Sequence, residues 1–552
     1  MNFGYTFTNR CLRSSRRSLE SIQRDLSRIP LITVLDFIHK ISKRTFWERT
    51  HNYSYAENDI LLPFLADYVP PVKHSIAYKT AQQEDFCGPT SNYGLLCFAA
   101  LAYSCCADGD SIPGSTGLNH QLFAILVQLQ SRPIPEDITT ASNPIRYLPY
   151  LIRGMSIERR LQRNWNADLA RLHALVSLPE CEASLLKGFP TANRDSFFKD
   201  ACGLTGREYQ VAANIIFGAA FYGADFNRLE VEAPRLHAIV APLLRHVISD
   251  LADTRLQIGQ ISSFDDLLEK SARLLSKPAV QIGSRIFVYS FDALFNRAIR
   301  DLPYVGFAAR NGNLHSSNNA SRYFGRLFEG YVRWLIEEWF GDQGAIIYSP
   351  YYDSNGCERD VAVQIGDIFI AFETKSGGAS DLQLTSGDIA IVRGANKTVV
   401  KQVSTGAASL RAGTATDEHR RAIPAARLVI PCALTFENLP ISDPFHPEFE
   451  RRLEWDLGIS AFRERNGILP VQFLDIQQLE LCELLFDLPS DKKGLAELLA
   501  YRSKNGETRY RSLGELSEIR RSPIVMSKLS AESEATSSIF LADLNSRQPK
   551  LE

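Results

Sequence analysis

The sequence predicts an α+β protein of more than one domain, in which a largely α-helical N-terminal region precedes an α/β domain. Up to about residue 300, apolar residues recur at helical spacing, as in Leu31, Leu35 and Ile38. Beyond that point, short β-prone runs alternate with amphipathic helical stretches. The length of 552 residues suits roughly three domains or two large ones. We expect a helical region over residues 1–300, an α/β domain over 301–500 and a helical or frayed tail over 501–552.

Composition and charge narrow the class of protein. Hydrophobic residues make up 45% of the chain and charged residues 22%, which is typical of a globular protein. The formal net charge of -2 excludes a global basic footprint, so any contact with nucleic acid must come from a local patch. No Walker A or dinucleotide-binding glycine pattern is present, and we therefore expect no ATP hydrolysis by this chain.

The cysteines and the apolar runs indicate where the protein works. The ten cysteines show no C-x-x-C pair and no other zinc-like spacing, which favours a reducing compartment. The N-terminal stretch lacks the compact apolar segment of a secretory signal. The longest weakly polar run, residues 94–106, is shorter than the ~20 residues that a membrane-spanning helix requires. We expect a cytoplasmic protein without membrane contact.

Five β-prone runs define the predicted α/β domain. They cover residues 345–348, 360–365, 368–374, 427–435 and 471–474. The segment between Ser376 and Asn396 is rich in Gly, Ser and Asp and is predicted to be a long loop, after which a helix begins at Lys397.

The second and third runs predict a β-hairpin. Gly366 and Asp367 form a Gly-X pair that suits a two-residue turn with positive φ at the glycine. If Ile365 pairs with Ile368, Asp360 falls directly opposite Glu373. Opposite residues of an antiparallel pair share a face, with Cβ atoms about 4.5–5.5 Å apart. Lys375 then shares the face of Glu373 because side chains alternate along a strand.

This pattern predicts a metal site. Like charges directly opposite each other destabilise a sheet unless something neutralises them, and a divalent cation between two oxygen ligands would do so. Mg²⁺ suits Asp360 and Glu373 because it binds through one or two carboxylates and keeps its waters. Lys375 would hold or deprotonate an attacking water and balance charge in the transition state. The alternative is a surface hairpin whose Asp, Glu and Lys are solvated or ion-paired.

An Asp followed after a twelve-residue interval by Glu-x-Lys on a hairpin resembles the PD-(D/E)XK, or restriction-endonuclease-like, nuclease superfamily. The resemblance covers roughly residues 320–485, and Arg359 stands where the family usually has proline. It implies a mixed sheet and hydrolysis of nucleic-acid phosphodiester bonds with Mg²⁺, or with Mn²⁺ in its place. DNA is the expected substrate in preference to RNA.

The resemblance also implies two flanking helices. The amphipathic stretch from Tyr323 to Leu335 matches the helix that precedes the hairpin, and its Glu329 would assist a metal directly or through water. Five apolar residues of this stretch are expected to pack on the sheet: Phe324, Leu327, Phe328, Tyr331 and Leu335. In the helix after the loop, Lys401 or Gln402 would contact the water or the scissile phosphate. Asp353 and Glu358 are interpreted as loop acids without a functional role.

The architecture resembles bacterial nucleases of restriction or anti-phage defence. By that analogy, residues 1–300 would recognise a target, bind a protein partner or form a homo-oligomer. Two alternatives remain open. The domain could be a catalytically silent nuclease-like module that binds nucleic acid or serves as a scaffold in a larger defence complex. Alternatively, the function could lie mainly in the helical region, and the chain could act as a structural or regulatory subunit.

Overall fold

The computed structural model describes residues 17–51, 92–110, 116–130, 165–190, 194–195, 198–199, 203–221, 230–231, 233–301, 314–341, 344–376, 389–436, 446–486, 491–504, 506, 508–510, 513–516 and 525–546. The chain divides into two compact units. Unit 1 comprises residues 1–163, 211–302 and 381–387, and unit 2 comprises residues 164–210, 303–380 and 388–552. The predicted division at residue 300 therefore lies close to one boundary, but residues 164–210 belong to the unit that contains the predicted α/β domain.

Helices dominate unit 1. They are α1 (Leu19–Leu26), α2 (Leu31–His51), α3 (Asn92–Cys105), α4 (Thr116–Gln130), α8 (Pro234–Val247), α9 (Leu251–Ile258), α10 (Phe264–Arg273) and α11 (Phe291–Asn296), while α7 (Gly206–Phe221) crosses the unit boundary. Residues 92–103 of α3 are all buried, because this helix is apolar on every side. The weakly polar run at residues 94–106 is thus a core helix.

A small sheet in unit 1 was not predicted. Its strands are β1 (Ile248–Asp250), β2 (Ala279–Ile282) and β3 (Arg285–Val288), with β1 parallel to β2 and β2 antiparallel to β3. Each strand has only three or four residues, too few for a clear period-two pattern in the sequence.

Unit 2 contains a five-stranded mixed sheet. Its strands are β4 (Ile346–Tyr348), β7 (Val361–Ile365), β8 (Ile368–Lys375), β9 (Leu428–Thr435) and β10 (Gln472–Asp475). They lie in the order β10-β9-β8-β7-β4. All five predicted strands are present, with ends that differ by at most one residue. A separate two-stranded pair, β5 (Tyr351–Tyr352) and β6 (Glu358–Arg359), was not predicted. The sheet is mixed because β8, β9 and β10 run parallel whereas β7 and β4 join antiparallel.

The helices of unit 2 are α5 (Trp165–Ser177), α6 (Pro179–Gly188), α12 (Leu314–Phe340), α13 (Ile389–Ala412), α14 (His446–Leu457), α15 (Ile476–Leu485), α16 (Lys492–Lys504), α17 (Leu513–Leu516) and α18 (Val525–Ser546). Helix α13 begins at Ile389, so the prediction of loop as far as Asn396 was wrong at its end, and residues 377–388 lie outside the described residues. Part of the predicted tail is the helix α18, which packs on α5. No described helix has the length and apolar character that crossing a membrane requires.

Phe436 connects α12 to the sheet through a backbone hydrogen bond and ring packing. Its backbone N–H donates to the carbonyl of Lys375 at 3.0 Å, directly beyond the paired ends of β8 and β9. Its ring meets the rings of Phe324 and Phe328 edge-on, with centroids 5.0 and 5.3 Å away. The five apolar residues predicted to form the packing stripe of α12 are all buried. This contact fixes α12 against the C-terminal end of β8.

A buried ion network joins three helices of unit 2. The Arg171 guanidinium on α5 donates from Nε and Nη2 to both carboxylate oxygens of Glu480 on α15, each at 2.7 Å. Its Nη1 donates to Asp168 at 2.6 Å, and the hydroxyl of Tyr331 on α12 donates to Glu480 at 2.8 Å. All four side chains are buried, so each hydrogen bond is needed to offset lost hydration.

Gly330 allows α6 to approach α12. A Cβ at this position would lie 2.7 Å from the Cα of Cys181 and 2.8 Å from the carbonyl oxygen of Glu180, both on the backbone of α6. Backbone atoms cannot move aside as a flexible side chain can, so the close crossing requires glycine. The N-terminal turn of α6 thus packs against the middle of α12, and Gly188 at the C-terminal end of α6 lies beside Arg326.

We expect Arg171→Met to lower the free energy of unfolding by roughly 3–5 kcal/mol, because it leaves Asp168 and Glu480 buried without their cation. Chemical denaturation at neutral pH measures the loss. Arg451→Met is the matched control: it removes an exposed arginine from its ion pair with Glu448 and should leave the free energy of unfolding nearly unchanged. Equal effects in the two variants would contradict a stabilising role for the buried network.

Candidate functional site

The hairpin has the predicted register. Ile365 pairs with Ile368 and Val361 pairs with Phe372, and Gly366 adopts a φ of +63° in the turn. Asp360 directly precedes Val361, the first residue of β7. Glu373 directly follows Phe372, the last residue of β8 that pairs with β7. On its other side, β8 pairs with β9 as far as Lys375. The C-terminal end of β8 is therefore held by β9, beyond the point where its pairing with β7 stops.

Asp360 closes the open end of the hairpin. Its Oδ2 accepts hydrogen bonds from the backbone N–H and the side-chain hydroxyl of Thr374, both at 2.6 Å. The carboxylate thus replaces the backbone acceptor that β7 no longer supplies. Thr374 was not among the predicted site residues. Its position between Glu373 and Lys375 was the only indication in the sequence that it lies at the site.

Glu373 is the buried acid of the site. Its side chain is 2% exposed, and its Oε2 has no hydrogen-bond partner among the described residues. Burial raises the pKa of Glu373 well above its ordinary value, and the charge of Asp360 raises it further, while Lys375 and Arg359 oppose the rise. A buried carboxylate oxygen without a partner is costly when ionised.

Lys375 lies beside Glu373, as predicted for two residues on one face of a strand. Its Nζ is 3.9 Å from Oε1 of Glu373, and its side chain is one-third exposed at 33%. The amine can therefore interact with the buried carboxylate and with a solvent-borne ligand at the same time.

Glu329 contributes a third carboxylate from α12. Burial raises the pKa of Glu329, and the negative charge of Asp360 adds to the rise. Arg326, one turn earlier on the same helix, opposes the rise because its Nη1 donates to Oε2 of Glu329 at 2.7 Å. The structure therefore brings together Asp360, Glu373, Lys375 and Glu329. It adds Arg326, for which the three-residue spacing to Glu329 was the available signal.

Helix α13 carries the remaining predicted candidates. The side-chain oxygen of Gln402 is buried without a hydrogen-bond partner, and Lys401 is exposed. In the part of the chain that the structure describes, no hydrogen bond or ion pair joins either residue to Asp360, Glu373 or Glu329. Their assignment to the site stays a prediction.

A second, buried group interacts electrostatically with Glu373 and was not predicted. Arg359 is 6% exposed and forms an ion pair with Asp353, which also accepts from two backbone N–H groups of its own turn. Tyr351 is buried, and its hydroxyl occupies the space that a side chain at Gly406 of α13 would need. Burial and the charge of Glu373 raise the pKa of Tyr351 well above its ordinary value.

Asp353 and Glu358, interpreted as loop acids without a functional role, each have a partner in the structure. Asp353 is occupied by Arg359 and by its turn. Glu358 is solvent-exposed, with Nζ of Lys187 3.5 Å away. The residue that departs from the family pattern, Arg359, thus has a structural partner and a charge that favours ionised Glu373.

The donor set fits a hard divalent cation. Of the cations near the three carboxylates, Arg359 is paired with Asp353 and Arg326 with Glu329, while Glu373 offers an unpartnered oxygen. Among the described residues, no group of three or more His, Cys, Asp or Glu side chains is arranged as a metal cage. Mg²⁺ does not need one, because it commonly binds through one or two carboxylates and completes its shell with water and phosphate oxygens.

Comparison of the chain with protein-family models, with curated proteins and with solved structures gave no match. The chemistry of the site therefore has to be argued from its own residues.

Glu373→Gln should change how stability depends on pH. Because burial raises its folded-state pKa above the unfolded value of 4.5, wild-type Glu373 favours folding below that value and loses this contribution as the pH rises. The glutamine variant cannot ionise. In EDTA, its free energy of unfolding relative to wild type should increase from pH 4 to pH 8, by roughly 1–3 kcal/mol.

Denaturant titrations at several pH values provide this measurement. Asp367→Asn is the control, because Asp367 lies at the exposed turn of the same hairpin with Arg427 as its ion-pair partner. Parallel stability curves for wild type and Glu373→Gln would show that the carboxylate is not desolvated as described.

Proposed function

We propose that the protein is a metal-dependent nuclease that hydrolyses phosphodiester bonds of nucleic acid, with DNA as the preferred substrate. The observation that carries the proposal is the buried Glu373 carboxylate, which lies beside Asp360 and has the Lys375 amine 3.9 Å away. In a purely structural surface hairpin, a buried carboxylate beside a second carboxylate would only destabilise the fold, since the two charges repel each other.

Each residue has a role in such a reaction. Asp360 and Glu373 would hold Mg²⁺ or Mn²⁺, and Glu329 would assist directly or through a water. When bound, the ion would polarise the phosphate and make water more acidic. Lys375 would orient the attacking water and balance the negative charge that grows as the water oxygen bonds to phosphorus and the P–O bond of the leaving group breaks. Gln402 or Lys401 would contact the water or the phosphate.

The cellular setting is part of the same proposal. A cytoplasmic role in bacterial restriction or anti-phage defence would follow from the resemblance to PD-(D/E)XK nucleases. Unit 1 would then recognise the target, bind a protein partner or mediate self-association. These assignments rest on analogy and on the predominantly helical character of unit 1.

One observation favours a catalytically silent binding module instead. Asp360 already accepts two hydrogen bonds from Thr374, and Glu329 is already paired with Arg326. A nuclease-like fold that only binds nucleic acid, or that serves as a scaffold in a larger complex, could keep these contacts permanently. Binding of DNA without cleavage under all metal conditions would support this alternative.

Cleavage assays test the proposed reaction. With Mg²⁺, the full chain should cut at least one of supercoiled plasmid, linear duplex, single-stranded DNA and RNA. Asp360→Asn and Lys375→Met should each lower the rate by about 10²-fold or more, the usual effect of removing one group that stabilises the transition state. Asp367→Asn, at the distant turn of the same hairpin, should retain the wild-type rate. Cleavage that persists in both site variants would remove this site from consideration as the catalyst.

Metal binding can be tested without any substrate. Mg²⁺ and Mn²⁺ should raise the thermal unfolding temperature of the wild type, because a ligand that binds only the folded state stabilises it. The increase should be larger at pH 8 than at pH 5, since protons compete for a carboxylate whose pKa is raised. Glu373→Gln should abolish the increase and Asp367→Asn should leave it intact. An equal increase in Glu373→Gln would place the metal elsewhere.

A further inference from the structure

Arg326 stands apart from the other cations of the site. It lies one helical turn before Glu329 on α12, and its side chain is 36% exposed, whereas that of Glu329 is 21% exposed. Its charge opposes the rise in the pKa of Glu329, and its Nη1 donates to Oε2 of that carboxylate at 2.7 Å. It is therefore both part of the site and open to solvent.

The stem of Arg326 is held by the end of α6. A Cβ at Gly188, the last residue of that helix, would lie 3.0 Å from Nε of Arg326, 3.3 Å from Cγ and 3.4 Å from Cδ. The absence of a side chain at Gly188 thus leaves the space that the arginine occupies. The contact restricts the side chain before any ligand arrives, which reduces the entropy that binding would cost.

Only part of the hydrogen-bonding capacity of Arg326 is used. The contact with Glu329 occupies Nη1, and Nη2 makes no hydrogen bond to another described residue. A guanidinium presents its donors in a planar fork that matches the oxygens of a phosphate, and it can bind a carboxylate and a phosphate together.

The charges of the site create a need for such a group. A phosphodiester is an anion, and it would approach Asp360, Glu373 and Glu329, whose combined charge repels it. Lys375 lies on the same strand as Glu373 and is partly occupied by it. A second exposed cation beside the carboxylates would favour entry of the substrate, and Arg326 has the required position and exposure.

We infer that Arg326 binds a non-bridging oxygen of the nucleic-acid phosphate backbone through its Nη2, while Nη1 stays on Glu329 and the stem of the side chain lies beside Gly188. The inference rests on the proposed nuclease function and assigns to that site a residue for substrate binding. Replacing Arg326 should therefore lower the affinity for substrate more than it lowers the rate of turnover.

Arg322 provides a matched control. It is an exposed arginine one turn earlier on α12, and its guanidinium lies over the ring of Phe189 at 5.0 Å from the centroid. Arg322→Ala removes the same charge from the same helix without touching Glu329. A general electrostatic effect of α12 would therefore appear in both variants, and a specific phosphate contact would appear in Arg326→Ala alone.

The test measures binding of a fluorescein-labelled DNA duplex by anisotropy in Ca²⁺, at several KCl concentrations, with wild type, Arg326→Ala, Arg326→Lys and Arg322→Ala. Arg326→Ala should weaken binding by about tenfold or more and should lower the slope of log Kd against log salt by about 0.9, the value for one lost phosphate contact. Arg326→Lys should keep the slope, because it keeps the charge, and should recover part of the affinity. Arg322→Ala should match wild type.

Kinetics with Mg²⁺ add a second readout. Arg326→Ala should raise KM several-fold more than it lowers kcat, whereas Lys375→Met should act mainly on kcat. If Arg326→Ala does not fold, as judged by circular dichroism, Arg326→Lys carries the comparison through its loss of affinity relative to wild type.

The outcomes separate the two proposals. Wild-type protein that neither binds nor cleaves nucleic acid would overturn the proposed function and this inference together. Wild-type cleavage with Arg326→Ala indistinguishable from Arg322→Ala in Kd, salt slope and KM would overturn the inference alone. In that case Arg326 serves only as the ion-pair partner of Glu329.

Discussion

The two hydrogen bonds from Thr374 to Asp360 determine the geometry of the site. They join the start of β7 to the end of β8 at the point where backbone pairing between the two strands stops. Because β9 continues to pair with β8 as far as Lys375, the carboxylates lie on a strand end that is fixed from both sides. A flexible loop would not hold two like charges side by side, since repulsion would move them apart.

The free-energy cost of placing these carboxylates together is partly offset by positive charges from three parts of unit 2. Arg359 and Lys375 both favour the ionised form of Glu373, and Arg326 donates a hydrogen bond to Glu329 on α12. Even so, the pKa values of Glu373 and Glu329 are raised, because burial outweighs these cations. Perturbed carboxylates of this kind concentrate at functional sites.

The packing behind the site keeps α12 in place. Phe436 bonds to the backbone of Lys375 and packs on Phe324 and Phe328, so the helix that carries Glu329 is fastened to the strand end that carries Lys375. The Arg171 and Glu480 ion pair secures the same helix through Tyr331. Distances among groups on different elements can then stay constant, as a metal or phosphate site requires.

The sequence by itself determined the five strands, the hairpin register and the shared environment of Asp360, Glu373 and Lys375, because strand periodicity and a two-residue glycine turn are local properties. It also placed Glu329 on the correct helix. Tertiary structure alone decided that Thr374 binds Asp360, that Arg359 and Tyr351 interact electrostatically with Glu373, and that residues 164–210 join unit 2. These features depend on contacts between segments far apart in the chain, and local periodicity carries no information about which distant segments meet.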